Sequence, residues 1–419
     1  MVLATVALTV AASLLFFNVR PESMLAMESP KEMPAIGDPA FITLLEAYLG
    51  KSMIGGNSVK LFRDGDEIFP AKLAAIEDAR HSITLEVFEF WGERVAGRIA
   101  DALARKAEEG VKVHVLLDFF GSIKDDPAKF DRMREAGVEL IRWRRPSWYQ
   151  SGRINNRTHR KLLIVDGVVG FTGGANMGDD WWVEADSEDD SYRDNHYQFH
   201  GPIVAQLQAA FLDNWLRANN RMLTGHAYFP PLEPVGEKYM QTIVSSPSDG
   251  KKRVRSFILL AFSAARERIL IQTAYFYPDS VIMDALIQAR ERGVEVVLLV
   301  PGGPDKENIV RFASRNRWGA ILEAGVRIHE YQPRVLHAKL FVIDDALVSV
   351  GSINFDNRSF RLNDEANVNI LCKTFAADMT KVFMDDLAHS TLYDLPRWQA
   401  RSFKERALGL LGNMVGLQL

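Results

Sequence analysis

Only one cysteine, Cys372, occurs in 419 residues, which excludes an internal disulfide. Positive charge is not in surplus either. Lys and Arg number 50 against 54 Asp and Glu, a formal net charge of -4, so the global basic footprint of a dedicated nucleic-acid binder is missing and nucleic acid is not an expected partner. No His/Cys/Asp group has zinc-ligand spacing and no Gly-rich loop runs into Lys-Ser or Lys-Thr, so neither a metal nor another cofactor is expected. With 47% hydrophobic and 25% charged residues, intrinsic disorder is excluded for the bulk of the chain, which is long enough to bury a large core. Charge is also absent from Val2 to Val19, an apolar run near the minimum length for a membrane span. Residues 1–20 therefore read as a membrane anchor, or as a cleaved signal peptide that lacks a basic n-region, and the flanking Arg20 and Lys31 are too few to orient it.

What is present is a repeated motif. His159-Arg160-Lys161 is followed by Asp166, and His337-Ala338-Lys339 by Asp344, so each copy reads H-x-K-x4-D. Each also ends in a small-residue turn closed by Asn: Gly173-Gly174-Ala175-Asn176 and Gly351-Ser352-Ile353-Asn354. With average residue usage one such match arises by chance on the order of once in 10⁴ chains of this length, and two far more rarely.

Around the motifs the halves echo each other. Ala79-Arg80-His81-Ser82-Ile83 corresponds to Ala265-Arg266-Glu267-Arg268-Ile269, and Gly110-Val111-Lys112-Val113 to Gly293-Val294-Glu295-Val296. Strand and helix patterns alternate, which predicts an α/β layer with mostly parallel strands. Two diverged α/β/α units packed face to face, with one shared site between them, account for the duplication. Their bounds are read as 21–56 for a linker and first helix, 57–223 for the first unit, 224–250 for a Pro- and Gly-interrupted linker, 251–395 for the second unit, and 396–419 for a basic then apolar tail. That tail suits an interfacial helix on anionic lipid and a helix docked on the body equally well.

In an extended segment, residues two apart share a face, so His159 and Lys161 project together, as do His337 and Lys339. A pseudo-twofold axis would gather two imidazoles, two ammonium groups and the amides of Asn176 and Asn354 in one cleft. Such a cleft suits a phosphodiester: lysine and asparagine bind the non-bridging oxygens, one imidazole attacks phosphorus, and the other moves the proton. Each imidazole needs an acceptor on its far nitrogen, and the candidates are Asp194 in the first half and Glu365 in the second. Asp166 and Asp344 fall on the opposite strand face and are expected to be structural.

These residues resemble the phospholipase D superfamily, and more narrowly the bacterial cardiolipin synthases. The narrower resemblance rests on Asp64-Gly65-Asp66, Thr273-Ala274-Tyr275-Phe276-Tyr277-Pro278-Asp279, Ser245-Ser246-Pro247-Ser248-Asp249-Gly250 and Arg358-Ser359-Phe360-Arg361-Leu362-Asn363, and spans roughly Asn57 to Leu395. It implies two phospholipase D-type domains meeting at one active site. It carries His159, Lys161, Asp166, His337, Lys339 and Asp344 as the catalytic set, with His159 the nucleophile and His337 the general acid/base. It further implies a phosphohistidine intermediate, phospholipid substrates with phosphatidylglycerol foremost, cardiolipin as product, and a place at the bacterial inner membrane. Ala274 departs from the family, where Pro is common. A hydrolytic phospholipase D, a nuclease-type phosphodiesterase and a catalytically dead scaffold are the alternatives.

Three further stretches stand out. Arg142 to Tyr149, with Trp143, Arg144, Arg145 and Trp148, is placed to line the site's entrance and meet phosphate. Asp179-Asp180-Trp181-Trp182 suits either a substrate contact or core packing. The acidic run Glu184 to Asp190 reads as a solvated loop, and His81, His114, His200, His226, His329 and His389 as structural.

Overall fold

Alternating apolar residues bounded by Gly, Asp and Pro generate the strands of a computed structural model that describes residues 32–145, 155–182, 191–247, 251–302 and 309–414. The first half supplies β1 (Ile54–Arg63), β2 (Ser82–Val87), β3 (Phe90–Trp91), β4 (Lys112–Asp118), β5 (Glu139–Trp143), β6 (Arg157–Thr158), β7 (Leu162–Val165), β8 (Val169–Gly173), β9 (Met177–Gly178), β10 (Tyr192–Arg193) and β11 (Asn195–His200). The second supplies β12 (Lys238–Ser245), β13 (Arg268–Gln272), β14 (Phe276–Tyr277), β15 (Glu295–Pro301), β16 (Arg327–Tyr331), β17 (Val335–Leu336), β18 (Leu340–Ile343), β19 (Leu347–Gly351), β20 (Phe355–Asp356), β21 (Asn363–Leu371) and β22 (Ser390–Tyr393). Residues 1–20, read as an anchor, the acidic run and Pro146 to Tyr149 lie outside the described residues.

The main sheet runs β22-β16-β15-β13-β18-β19-β21-β12-β1-β11-β8-β7-β2-β4-β5, with β6 paired to β21. Counted outwards from the β12/β1 seam, β21 answers β11, β19 answers β8, β18 answers β7, and β13, β15 and β16 answer β2, β4 and β5. The halves therefore join edge to edge rather than face to face. The seam is antiparallel, with Ile54 opposite Met240 and Asn57 opposite Lys238 across an irregularity. The stretch read as a linker, 224–250, thus contains a central strand. Pro230, Pro231 and Pro234 before it and Pro247 after it suggested a connector, but they bracket Tyr239 to Val244, whose backbone pairs with β21 throughout.

Along the strand order of the main sheet, parallel pairing is confined to β2-β4-β5 and β13-β15-β16, with the short β6 added in parallel to β21. Most other pairs are antiparallel, contrary to the expected mostly parallel layer, because tight turns close β7 on β8 and β18 on β19. Asp166 and Asp344 begin those turns in left-handed conformation, at φ 53° and 50°. Their carboxylates explain why Asp is there. Asp166 accepts from the backbone N–H groups of Arg80, His81 and Ser82 at 2.9, 2.7 and 2.8 Å. Asp344 accepts from Arg266, Glu267 and Arg268 at 2.7, 2.8 and 3.0 Å. Each motif aspartate ties its hairpin to the start of the neighbouring strand.

Helices α1 (Asp64–Glu77) and α2 (Arg98–Glu108) cover a first-half core that includes Phe69, Ile99 and Leu163, and α4 (Lys251–Ala264) and α5 (Ser280–Glu291) cover a second-half core that includes Ile258, Ile282 and Phe341. A third core crosses the seam. There α3 (Ile203–Asn219) and α6 (Lys373–Ala388) bury Phe211, Trp215, Phe375 and Phe383 with Leu162, Leu340 and Val368. Shared apolar burial on this scale makes the two halves one folding unit. The tail helix α7 (Phe403–Met414) is docked: the backbone carbonyl of Phe312 leaves no room for a side chain at Gly409. It still exposes Phe403, Leu410 and Leu411. Among the described residues no helix is long and apolar enough to cross a membrane.

Removing the carboxylate of Asp166 orphans three backbone donors while leaving every side chain of the cleft in place. We expect Asp166→Ala to lower the unfolding free energy by about 3 kcal/mol, read from urea denaturation, and Asp344→Ala to do the same. A loss under about 0.5 kcal/mol would contradict the tethering role.

Candidate active site

Each motif histidine is seated by the opposite half. β6 pairs in parallel with the start of β21, and the His159 N–H donates to the Asp364 carbonyl at 2.8 Å. Symmetrically, β10 pairs in parallel with β17, and the His337 N–H donates to the Arg193 carbonyl at 2.8 Å. The chain then returns to its own half as β7 or β18. Extended backbone from 159 to 161 and from 337 to 339 sends histidine and lysine the same way.

The side chains cross over as the backbone does. His159 Nδ1 lies 2.9 Å from both Glu365 carboxylate oxygens, and His337 Nδ1 lies 2.7 Å from Asp194 Oδ2. The sequence places one carboxylate in each half; the fold assigns each to the other half's histidine. Glu365 is fixed by Ser352 Oγ, Ser359 Oγ and Asn363 Nδ2, which donate at 2.6, 2.8 and 3.2 Å. Asp194 accepts from Trp181 Nε1 at 2.8 Å and from the Asn195 N–H at 2.8 Å. Where the second half has Ser352 as a donor, the first has Gly174, and any Cβ there would collide with the Asp194 carboxylate. Trp181 also sets its edge on the His337 ring at 5.1 Å, Tyr192 stacks on that ring at 5.4 Å, and Phe88 meets His159 edge-on at 5.4 Å.

Sequence reasoning missed Tyr192 and Phe88, which follow no local pattern of their own, and it gave no role to Ser359 and Asn363, which lie in a stretch that carries the narrower resemblance. Trp181 lay in a singled-out stretch, and it proves to be both core and a prop for Asp194. Arg142, from the stretch read as lining the entrance, braces the loop at 119–122: its guanidinium donates to Ser122 Oγ at 3.0 Å and to the carbonyls of Phe119 and Ser122. Arg144 pairs with Asp364, beside Glu365.

The lysines fill the space between. Lys161 Nζ donates to the His159 carbonyl at 2.9 Å, and Lys339 Nζ lies 2.9 and 3.1 Å from the two His337 ring nitrogens. Burial, with the Lys339 ammonium adding to it, lowers Lys161 to about 7, and burial lowers Lys339 to about 8. Burial and the charges of Lys161, Lys339 and Arg358 hold His159 well below its ordinary 6.5. Burial and the Lys339 charge lower His337 to about 3. Both rings are therefore neutral near pH 7, each donating Nδ1–H to its carboxylate and leaving Nε2 as a lone pair. The two carboxylates differ. Burial pushes Asp194 up, but the pull of His337, Lys339 and Trp181 prevails and holds it well below the ordinary carboxylate range. Burial raises Glu365 despite Lys161 and its three side-chain donors.

The trailing asparagines are not equivalent. Asn176 exchanges two hydrogen bonds with Glu89: its Nδ2 donates to the carboxylate at 2.9 Å and its Oδ1 accepts from the Glu89 N–H at 3.3 Å. Asn354 Oδ1 is buried without a partner. Among the described residues no group of three or more His, Cys, Asp or Glu is arranged to hold a metal ion.

Comparison with known proteins bears on this arrangement. The family model described as "Cardiolipin synthase, PLD-like domain" matches residues 73–215 and 258–387. The chain is 35% identical over 348 residues to a cardiolipin synthase of Geobacillus kaustophilus, covering 82% of this chain and 68% of that protein. It is 35% identical over 334 residues to cardiolipin synthase A of Pseudomonas entomophila, covering 80% and 69%. Among solved structures, phosphatidylserine synthase of Haemophilus influenzae superposes with a TM-score of 0.67 at 12% identity, covering 90% of this chain and all of that one, which shows a common fold.

Histidines held neutral by the fold but protonated in the unfolded chain make stability depend on pH. With unfolded values near ~6.5, the contribution of His159 and His337 is complete above that pH and is lost as pH falls below it, down to about 3 for His337. Urea midpoints should therefore decline with acidification below ~6.5. The decline should be shallower in His337→Gln, and an unchanged slope in that variant would contradict the neutral assignment.

Proposed function

We infer the reaction of this site from the premise that the chain belongs to the cardiolipin synthase family of phospholipase D-like proteins and is a phospholipase D-type phosphatidyltransferase. The bound phosphodiester anion offsets the lysine charges that keep His337 neutral, so that ring takes up a proton from water at Nε2; His159 Nε2 then attacks the phosphorus of phosphatidylglycerol and forms an N–P bond, while His337 passes that proton to the departing glycerol oxygen. His337 then takes the proton of a second phospholipid's alcohol, whose oxygen displaces the imidazole and yields cardiolipin. Lys161, Lys339 and the Asn354 amide bind the non-bridging oxygens as charge gathers on them.

The observation that supports this division of labour is the inequality of the two carboxylates. The acid/base must be an imidazolium when glycerol leaves and again after the acceptor attacks, and the ionised Asp194, 2.7 Å from Nδ1, stabilises that charge on His337. Glu365, raised by burial, suits an imidazole that stays neutral until it attacks. Asp166 and Asp344 hold the scaffold and carry no proton. The membrane is the natural setting, with residues 1–20 as a tether and the exposed Phe403, Leu410 and Leu411 of α7 against the lipid surface.

Purified protein given phosphatidylglycerol vesicles should form cardiolipin and glycerol in equal amounts. His159→Ala should reduce this at least about 10³-fold and abolish acid-labile phosphoenzyme. Phosphatidic acid as the sole product would reassign the protein to hydrolysis, and phosphoenzyme persisting in His159→Ala would reassign the nucleophile.

A further inference from the structure

The pseudo-twofold symmetry breaks at one position beside the reacting groups. β2 and β13 correspond in register, since Ile83 opposes Val165 where Ile269 opposes Ile343, and Glu86 opposes Leu162 where Gln272 opposes Leu340. Carried three residues on, Glu89 corresponds to Tyr275. The next strands agree: Phe90 pairs with Met177 as Phe276 pairs with Phe355. A half-buried carboxylate therefore stands on one side of the cleft where an exposed Tyr275 stands on the other. The asparagines record the same break, Asn176 being tied to Glu89 by two hydrogen bonds while Asn354 Oδ1 has no partner.

Glu89 is close to the chemistry. Its charge acts on both Lys161 and Lys339, and after burial it is the largest influence raising the Tyr275 hydroxyl. A carboxylate repels a phosphodiester, and its hold on Asn176 takes that amide away from phosphate. What a carboxylate recognises in a neutral group is a hydroxyl donor. An ammonium headgroup fits less well here, because Lys161 and Lys124 already supply cations to Glu89.

We propose that Glu89, held by Asn176, is the acceptor-side specificity residue: it takes a hydrogen bond from a second hydroxyl of a polyol acceptor and so aims the reacting hydroxyl at the phosphoenzyme. The proposal rests on the phosphatidyltransferase reading above. In the step it governs, the acceptor's O–H breaks, its oxygen bonds to phosphorus, the P–N bond to His159 returns its electrons to the ring, and the proton passes to His337. Glu89 itself gains and loses nothing. A diol has the extra hydroxyl Glu89 needs; a simple alcohol or water does not.

The test is a competition for one intermediate. Phosphatidylglycerol vesicles are supplied with equimolar deuterated glycerol and ethanol, and labelled phosphatidylglycerol and phosphatidylethanol are counted by mass spectrometry. The ratio is independent of how much enzyme is active, so a merely structural role would leave it unmoved. The wild type should favour glycerol about ten-fold, and Glu89→Gln, which can keep the Asn176 contact, should bring the ratio close to one. Glu89→Asp, with a shorter reach, should give an intermediate ratio. A glycerol preference that survives in Glu89→Gln and Glu89→Asp while both still transfer overturns the inference alone. A wild type that prefers ethanolamine over glycerol, and loses that preference in Glu89→Gln, also overturns it in favour of an ammonium subsite. A wild type that captures no alcohol at all overturns the inference together with the transfer reading beneath it.

Discussion

The structure depends on two crossed hydrogen bonds, from His159 to Glu365 and from His337 to Asp194. Neither half contains a properly oriented imidazole by itself. Placing both pairs correctly requires the backbone to cross as well, which is why β6 runs beside β21 and β10 beside β17. The continuous sheet and the apolar core beneath its seam hold those crossings in register. Chemistry and folding are thus served by the same contacts.

Burial sets the electrostatics of the cleft. Taken out of water, two lysines, two histidines and two carboxylates settle into the states their neighbours allow: neutral imidazoles, softened ammonium groups, one carboxylate pulled down and one pushed up. An anionic phosphodiester would add its charge to the carboxylates that already face Lys161 and Lys339. The departures from perfect symmetry, Gly174 against Ser352 and Glu89 against Tyr275, make the two nearly equal halves of the cleft chemically unequal.

Much of this was legible in the residues. The duplicated motif gave the pairing of His159 with His337, and strand periodicity put Asp166 and Asp344 away from the cleft, where they anchor hairpins. Asp194 and Glu365 were found by asking what could hold a ring nitrogen. Their exchange between halves was not legible, because local spacing carries no information about which edge of a duplicated sheet meets its twin. The same gap explains the edge-to-edge join: β12 is framed by prolines that mimic a connector, and only its partners β1 and β21 reveal it as central. Predominantly antiparallel pairing was hidden for a related reason, since the two-residue turns at Asp166-Gly167 and Asp344-Asp345 lie inside a motif read for chemistry rather than for turn geometry.

The crossed pairing is tested most directly by ¹⁵N NMR of the wild-type protein labelled at histidine, in which both motif rings should show a protonated Nδ1. Glu365→Gln should shift the His159 resonances and leave those of His337 in place, and Asp194→Asn should do the reverse. Perturbation confined to the histidine of the same half in each variant would contradict the account.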